Sequence, residues 1–134
     1  MLFTVDPSRS EAVYVQIMHE IKRRIARGLL STGDRLPTVR DLARTLVINP
    51  NTVGKAYQLL ETEGVISTRR GSGTFVASVS PRLSPALRRE RVNRLLDQLF
   101  TEAYHMALDE DSLMDSIKKR AKSFRLSVKR RRGE

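Results

Sequence analysis

The chain has 134 residues, with 25 Lys and Arg against 15 Asp and Glu, a net charge of +10 and an isoelectric point near 10.8. This length holds one compact domain with an accessory segment, and the charge favours an anionic partner, either nucleic acid or a membrane surface. The absence of cysteine excludes disulfides and thiolate chemistry. No long apolar run is present, so we expect neither a signal peptide nor a membrane span.

The first predicted helix covers residues 13–27 and ends at Gly28. Its apolar residues recur at helical spacing and share one face: Tyr14, Ile17, Met18, Ile21 and Ile25. The outer face carries Lys22, Arg23 and Arg24, which form either an ordinary solvated surface or contacts to phosphate.

A short second helix is predicted after Pro37, because Thr38 and Asp41 have the spacing of an N-terminal capping box. The apolar side of this helix is formed by Leu42, Ala43 and Leu46. Val47 and Ile48 then provide the short connection that is typical of a helix-turn-helix.

The third predicted helix begins at Asn49, a favoured N-cap, with Pro50 at the first helical position and Gly64 as a left-handed C-terminal cap. Its buried face is expected to contain Val53, Ala56, Tyr57 and Leu60. The opposite face of the first two turns carries Asn51, Thr52 and Lys55. Side chains of these types contact base edges and phosphates, so this helix is predicted to enter a DNA groove.

Two β-prone runs, 65–68 and 74–76, follow the third helix and are joined by the sequence RRGSG at 69–73. Glycines in this turn permit positive φ, so the runs predict a β-hairpin. With Arg69 and Arg70 near its tip, the hairpin is suited to follow a phosphate backbone or to enter a minor groove.

The segment GDRLPTVRDLA at 33–43 resembles the start of the winged helix of GntR-type bacterial transcription regulators. The segments NPNTV at 49–53 and RGSGTFV at 70–76 are similar to the YtrA subfamily in particular. In the wider family an arginine often follows the Thr-Val pair of the recognition helix, where this chain has Gly54. The resemblance implies a winged helix-turn-helix, repression, and DNA contacts from the second helix, the third helix and the wing tip.

Taken together, the residues and the resemblance nominate ten DNA-binding positions. They are Thr38, Arg40, Asn49, Asn51, Thr52, Lys55, Arg69, Arg70, Gly71 and Ser72.

After Val76 the sequence changes character. A linker rich in proline and serine at 80–85 precedes two predicted amphipathic helices, 86–108 and 113–128, with an acidic cluster at 109–112 between them. Two helices make a thin core, so their apolar stripes are buried either against a second copy or against the winged domain of the same chain. We favour the second copy, since paired half-sites suit a helix-turn-helix and the resemblance implies a dimerisation segment here. The expected dimerisation residues are Leu95, Leu96, Leu99, Phe100, Leu113, Ile117 and Phe124.

Catalysis and metal binding are not expected. His19 and His105 lack a nucleophile pattern, and the pair of His105 with Asp109 is only two ligands. No P-loop lysine follows the glycines at 71–73. We therefore expect no enzyme, no cofactor and no metal.

The expected fold is mainly α with a small β-hairpin, namely an N-terminal winged helix-turn-helix at 1–78 and a C-terminal helical dimerisation segment at 79–134. The expected function is that of a cytoplasmic, homodimeric repressor that recognises an inverted-repeat operator in double-stranded DNA. The alternatives are a basic architectural or RNA-binding protein and a winged-helix protein-interaction adaptor. The sequence leaves open whether a small-molecule effector binds. It also leaves open whether the basic tail at 129–132 attracts DNA or only solubilises the chain.

Overall fold

The computed structural model describes residues 3–79 and 83–126, and the chain divides into two compact units, Met1–Ser80 and Pro81–Glu134. The described residues form mainly helices with one β-hairpin, which confirms the predicted fold class. The elements in chain order are α1 (Val13–Ala26), α2 (Val39–Leu46), α3 (Pro50–Thr62), β1 (Ile66–Arg69), β2 (Gly73–Val76), α4 (Pro85–His105) and α5 (Glu110–Ala121).

Helix α3 is the centre of the first unit and packs against α1, α2 and β1. Its apolar face faces inward, and Val53 and Leu60 are fully buried. The other large side chains of this core include Ile17, Ile21, Leu36, Leu42, Ile66 and Val76. Complete burial of one such side chain stabilises the fold by about 1.5–3 kcal/mol, so the core fixes which face of α3 points outward.

The helix-turn-helix forms as predicted, with both N-caps in place. Thr38 Oγ1 accepts a hydrogen bond from the Asp41 N–H at 3.0 Å, and Asn49 Oδ1 accepts one from the Asn51 N–H at 2.8 Å. The turn residue Val47 adopts a left-handed conformation with φ 56°. The Tyr57 hydroxyl donates to the Pro37 carbonyl at 2.7 Å and ties α3 to the start of α2. Burial raises the pKa of Tyr57 well above its usual value.

The wing is an antiparallel hairpin in which Arg69 pairs with Gly73 and Ser67 with Phe75. Both strands therefore reach one residue closer to the turn than predicted. The segment before α2 adds an edge to this sheet, because Arg35 forms a bridge to Phe75. The Leu36 N–H donates to the Thr74 carbonyl at 2.8 Å, which joins this edge to β2.

The second unit consists of α4 and α5, each with a side-chain cap. Ser84 caps α4, and Asp109 Oδ1 accepts the Ser112 N–H at 2.8 Å at the start of α5. Hydrogen bonds from Ser112 lower the pKa of Asp109 below its ordinary value. Of the apolar residues described in this unit, only Ala103 and Leu113 are buried.

One expectation for the second unit is wrong. The apolar stripe does not continue along one helix to Phe124, because α5 ends at Ala121. Beyond the helix end the Ser123 N–H donates to the Arg120 carbonyl at 3.0 Å and the Phe124 N–H to the Ala121 carbonyl at 3.1 Å, which is the three-residue pattern of a tighter turn. The Ser123 hydroxyl also donates to the Arg120 carbonyl, at 2.7 Å. Phe124 follows the helix end, while Val128 and the tail at 129–132 lie outside the described residues.

His105 and Asp109, four residues apart in the sequence, do not lie on one helix. Helix α4 ends at His105, and Asp109 is the N-cap of the next helix. Within residues 3–79 and 83–126, no three His, Asp or Glu side chains are close enough to hold a metal ion. No helix in the same ranges has the length and apolar character needed to cross a membrane.

Candidate nucleic-acid interface

The N-terminal half of α3 presents a polar face to solvent. Asn51 and Lys55 are exposed and Thr52 is half-buried, while the residues on the opposite face are buried. Gln58 continues the exposed face one turn further, at the helical spacing that would have nominated it from the sequence. At Gly54 an added Cβ would meet nothing within 4 Å, so the surface of the helix is open at this point.

Two nominated residues have structural roles as caps. The side-chain oxygens of Thr38 and Asn49 accept backbone N–H groups at the starts of α2 and α3. Contacts from these residues to DNA would therefore come from the Thr38 hydroxyl hydrogen and the Asn49 amide N–H groups, which are donors suited to phosphate oxygens.

Lys55 contacts the aromatic ring of Tyr14, a residue that was expected only in the apolar stripe of α1. The Lys55 Nζ lies 4.1 Å from the centroid of the half-buried Tyr14 ring. A cation–π contact of this kind restricts the ammonium to one region of the surface. Lys55 is therefore partly ordered before any ligand binds.

Arg40 is exposed on the first turn of α2. Together with Arg44, one turn further on, it lines an open groove of about 590 Å³ that also contacts Asn49 and Pro50. Arg44 is not among the ten nominated residues, although its spacing of four residues from Arg40 places both on one helix face.

The wing tip contains the four remaining nominated residues. Arg70, Gly71 and Ser72 are exposed, and Gly71 has φ 79°, the positive value that the third residue of a type II turn requires. The Arg69 guanidinium carbon lies 4.6 Å from the centroid of the Phe75 ring. The Glu61 carboxylate, which was not nominated, ties the wing to α3 by accepting the Thr68 N–H at 3.0 Å.

The basic residues on the outside of α1 have carboxylate partners within the chain. Lys22 Nζ lies 2.5 Å from Glu63, and Arg23 and Arg24 both contact Glu20. These ion pairs favour the solvated-surface interpretation of this face over contacts to phosphate.

Comparison with known proteins identifies the family. The sequence profile of the bacterial regulatory proteins of the gntR family matches residues 13–76, which contain every element from α1 to β2. The HTH-type transcriptional repressor YtrA of Bacillus subtilis (strain 168) is 35% identical over 117 residues, which are 87% of this chain and 90% of that protein. The chain belongs to the GntR family. It is therefore a DNA-binding transcription regulator and not an enzyme, and the resemblance to YtrA-like regulators is confirmed.

Solved structures agree with this assignment. A transcriptional antiterminator from Listeria monocytogenes EGD-e is 27% identical, with a TM-score of 0.76 over 97% of this chain and 98% of that one. The AraR DNA-binding domain in complex with operator ORX1 is 28% identical, with a TM-score of 0.52 over 57% of this chain and 96% of that one. GntR regulators thus bind double-stranded DNA operators, which confirms duplex DNA as the class of partner.

Proposed function

We propose that this GntR regulator is a cytoplasmic homodimeric repressor that recognises an inverted-repeat operator. The proposal of repression is supported by the similarity to the YtrA repressor, which extends over 90% of that protein. Helix α3 would recognise the bases and the wing would bind the backbone. The observation that carries this assignment is the exposed polar N-terminal face of a helix whose opposite face is fully packed.

Within that interface, we assign base contacts to Asn51, Thr52 and Lys55, because they project from the first two turns of α3. We assign backbone contacts to the two cap residues, to Arg40 and to the wing tip. Phosphate contacts fix the register of a protein on the duplex, whereas contacts to base edges distinguish sequences.

The proposal of a homodimer is supported by the apolar surface of the second unit. On α4 the exposed fractions are 60% for Leu95, 38% for Leu96 and Leu99, and 44% for Phe100. A second copy of this helix pair would cover such a surface, and two-fold dimers are the commonest oligomers. The proposed interface consists of these four residues with Ile117 and Phe124. Leu113, which was also expected there, is only 6% exposed and adds no surface for a second copy to cover.

Alanine substitutions test the division between base and backbone contacts. Asn51→Ala and Thr52→Ala should weaken binding to the selected operator by roughly 1–3 kcal/mol each, with little change on random DNA. Arg69→Ala and Arg70→Ala should weaken binding to both duplexes by similar factors. Fluorescence anisotropy at fixed salt measures all four, and Thr101→Ala on α4 is a matched control for Thr52→Ala.

The same titrations separate the alternatives. Equal affinity for every duplex would indicate an architectural protein, and no affinity for any duplex would indicate an adaptor. A pattern in which the α3 variants act equally on all duplexes would contradict the proposed roles.

A further inference from the structure

The outer face of the wing sheet contains an arginine that no DNA-binding assignment includes. Residues directly opposite each other in antiparallel strands share a face, and so do residues two apart along one strand. Arg35 is paired with Phe75 of β2, and Arg69 is paired with Gly73 of β2. Because Gly73 and Phe75 are two residues apart on one strand, Arg35 and Arg69 lie on the same face of the sheet. Leu36, Ile66 and Val76 belong to the other face and are buried in the core. The face with Arg35 and Arg69 therefore points away from the core.

The two guanidinium groups converge on the same small patch of this face. The Arg69 guanidinium lies over the Phe75 ring, 4.6 Å from its centroid. The Arg35 guanidinium lies against Gly73, where an added Cβ would come within 2.9 Å of Arg35 Nε. Gly73 thus supplies the space for one guanidinium, and Phe75 supplies a stacking surface for the other.

No carboxylate neutralises this patch among the described residues. Neither Arg35 nor Arg69 takes part in an ion pair within residues 3–79 and 83–126. The basic partners of those pairs are Arg9, His19, Lys22, Arg23, Arg24, Arg44, Arg94 and Lys119. Both guanidinium groups are positively charged and lie on the same face of β2 without a counter-charge in the described part of the chain, so an anion placed over this face would be attracted by both.

We propose that Arg35 and Arg69, arranged by Gly73 and Phe75, form a clamp for a backbone phosphate of duplex DNA. The planar guanidinium presents parallel N–H donors that match two phosphate oxygens. Contacts with the wing order both side chains before binding, so less side-chain entropy is lost in the complex. This inference deepens the proposed function, since it rests on the wing contacting the DNA backbone.

Salt dependence on a short random-sequence duplex tests the clamp without knowledge of the operator. Each phosphate contact contributes about 0.9 to the slope of log K against log salt. Arg35→Gln should therefore reduce the slope by about 0.9 for each bound protomer. For one protomer, the ratio of wild-type to variant affinity should fall about 3- to 4-fold between roughly 50 and 200 mM salt. Arg35→Met, which keeps the aliphatic stem, should give the same result, and Arg35→Lys should keep the wild-type slope.

The matched control is Arg23→Gln, which removes the same charge from a guanidinium that already contacts Glu20. It should leave the slope unchanged. A wild-type slope for a folded Arg35→Gln or Arg35→Met variant would overturn the clamp while leaving the proposed function intact. If the wild-type protein itself binds neither random nor selected duplexes, the proposed function fails as well.

Discussion

At the scale of single residues, the contact between Tyr14 and Lys55 links α1 to the proposed base-contacting surface. The ring lies beneath a lysine that belongs to a different helix, 41 positions later in the sequence. Because the ammonium is restrained at one place, its contact with DNA costs less side-chain entropy. Tyr14 thus has a positioning role without needing to touch DNA itself.

We predict that Tyr14→Leu lowers affinity for the operator about 2- to 5-fold, which corresponds to a cation–π contact of roughly 0.5–1 kcal/mol. Tyr14→Phe should bind like the wild type, because it keeps the ring. In a Lys55→Met background, Tyr14→Leu should have no further effect, and this double-mutant cycle can be measured by anisotropy. An equal loss in both backgrounds would show that Tyr14 only supports the core.

Which residues could be predicted from the sequence depends on how local their contacts are. The caps Thr38 and Asn49 could be predicted, since each contacts a backbone N–H only two or three residues away. The contacts of Gln16 could not be predicted. This residue is buried, and its amide donates to the carbonyls of Asp6 and Glu11 at 2.8 Å. A polar residue within an apolar stripe does not reveal partners in a preceding loop.

At the scale of elements, glycines in α3 and before α2 have opposite physical roles. Gly54 lies inside α3 and Gly33 lies beside β2 with φ 91°, and an added Cβ would meet nothing within 4 Å at either position. Both positions therefore have room for a side chain, and they differ only in backbone conformation. An L-residue suits helical φ but is strained at positive φ.

We predict that Gly54→Ala raises the free energy of unfolding by about 0.5–1 kcal/mol, because alanine loses less backbone entropy in a helix. Gly33→Ala should lower it by roughly 1–2 kcal/mol through strain in the left-handed region. Urea unfolding monitored by circular dichroism measures both. Stabilisation by both substitutions, or by neither, would contradict the backbone argument.

Some helix ends could be predicted from the sequence, and others could not. The predicted starts of α2 and α3 agree with the structure because caps and Pro50 define them. The end of α5 could not be predicted, since the spacing of Ile117, Ala121 and Phe124 remains helical. At this helix end the backbone N–H groups of Ser123 and Phe124 bond the carbonyls three residues earlier, and hydrophobic periodicity carries no information about that tighter turn.

At the scale of the whole molecule, we propose that the first unit contacts DNA and that the second unit forms the dimer. The residues that form the hydrophobic core of the first unit all precede Ala77 in the sequence. Tethering two such units makes the second half-site encounter intramolecular, with an effective concentration that reaches about the millimolar range.

A chain shortened to residues 1–84 should therefore fold, remain a monomer and lose a factor on the order of 10²–10⁴ in operator affinity. Light scattering and thermal unfolding of the short and full chains check the first two expectations. Fusion of the short chain to an unrelated dimeriser with suitable spacing should restore part of the lost affinity. Unfolding of the short chain would mean that α4 and α5 belong to its core, as in the fold-back alternative.

The most direct test of the central claim is selection of duplexes from a randomised library by the full-length protein. A dimer that reads DNA with two copies of α3 should enrich an inverted repeat, with half-site centres separated by about one helical turn of 10–10.5 base pairs or a multiple of it. Asn51→Ala should lose this enrichment while retaining salt-sensitive binding to random DNA. Enrichment of a single unrepeated site, or of no sequence at all, would contradict a homodimeric operator-binding repressor.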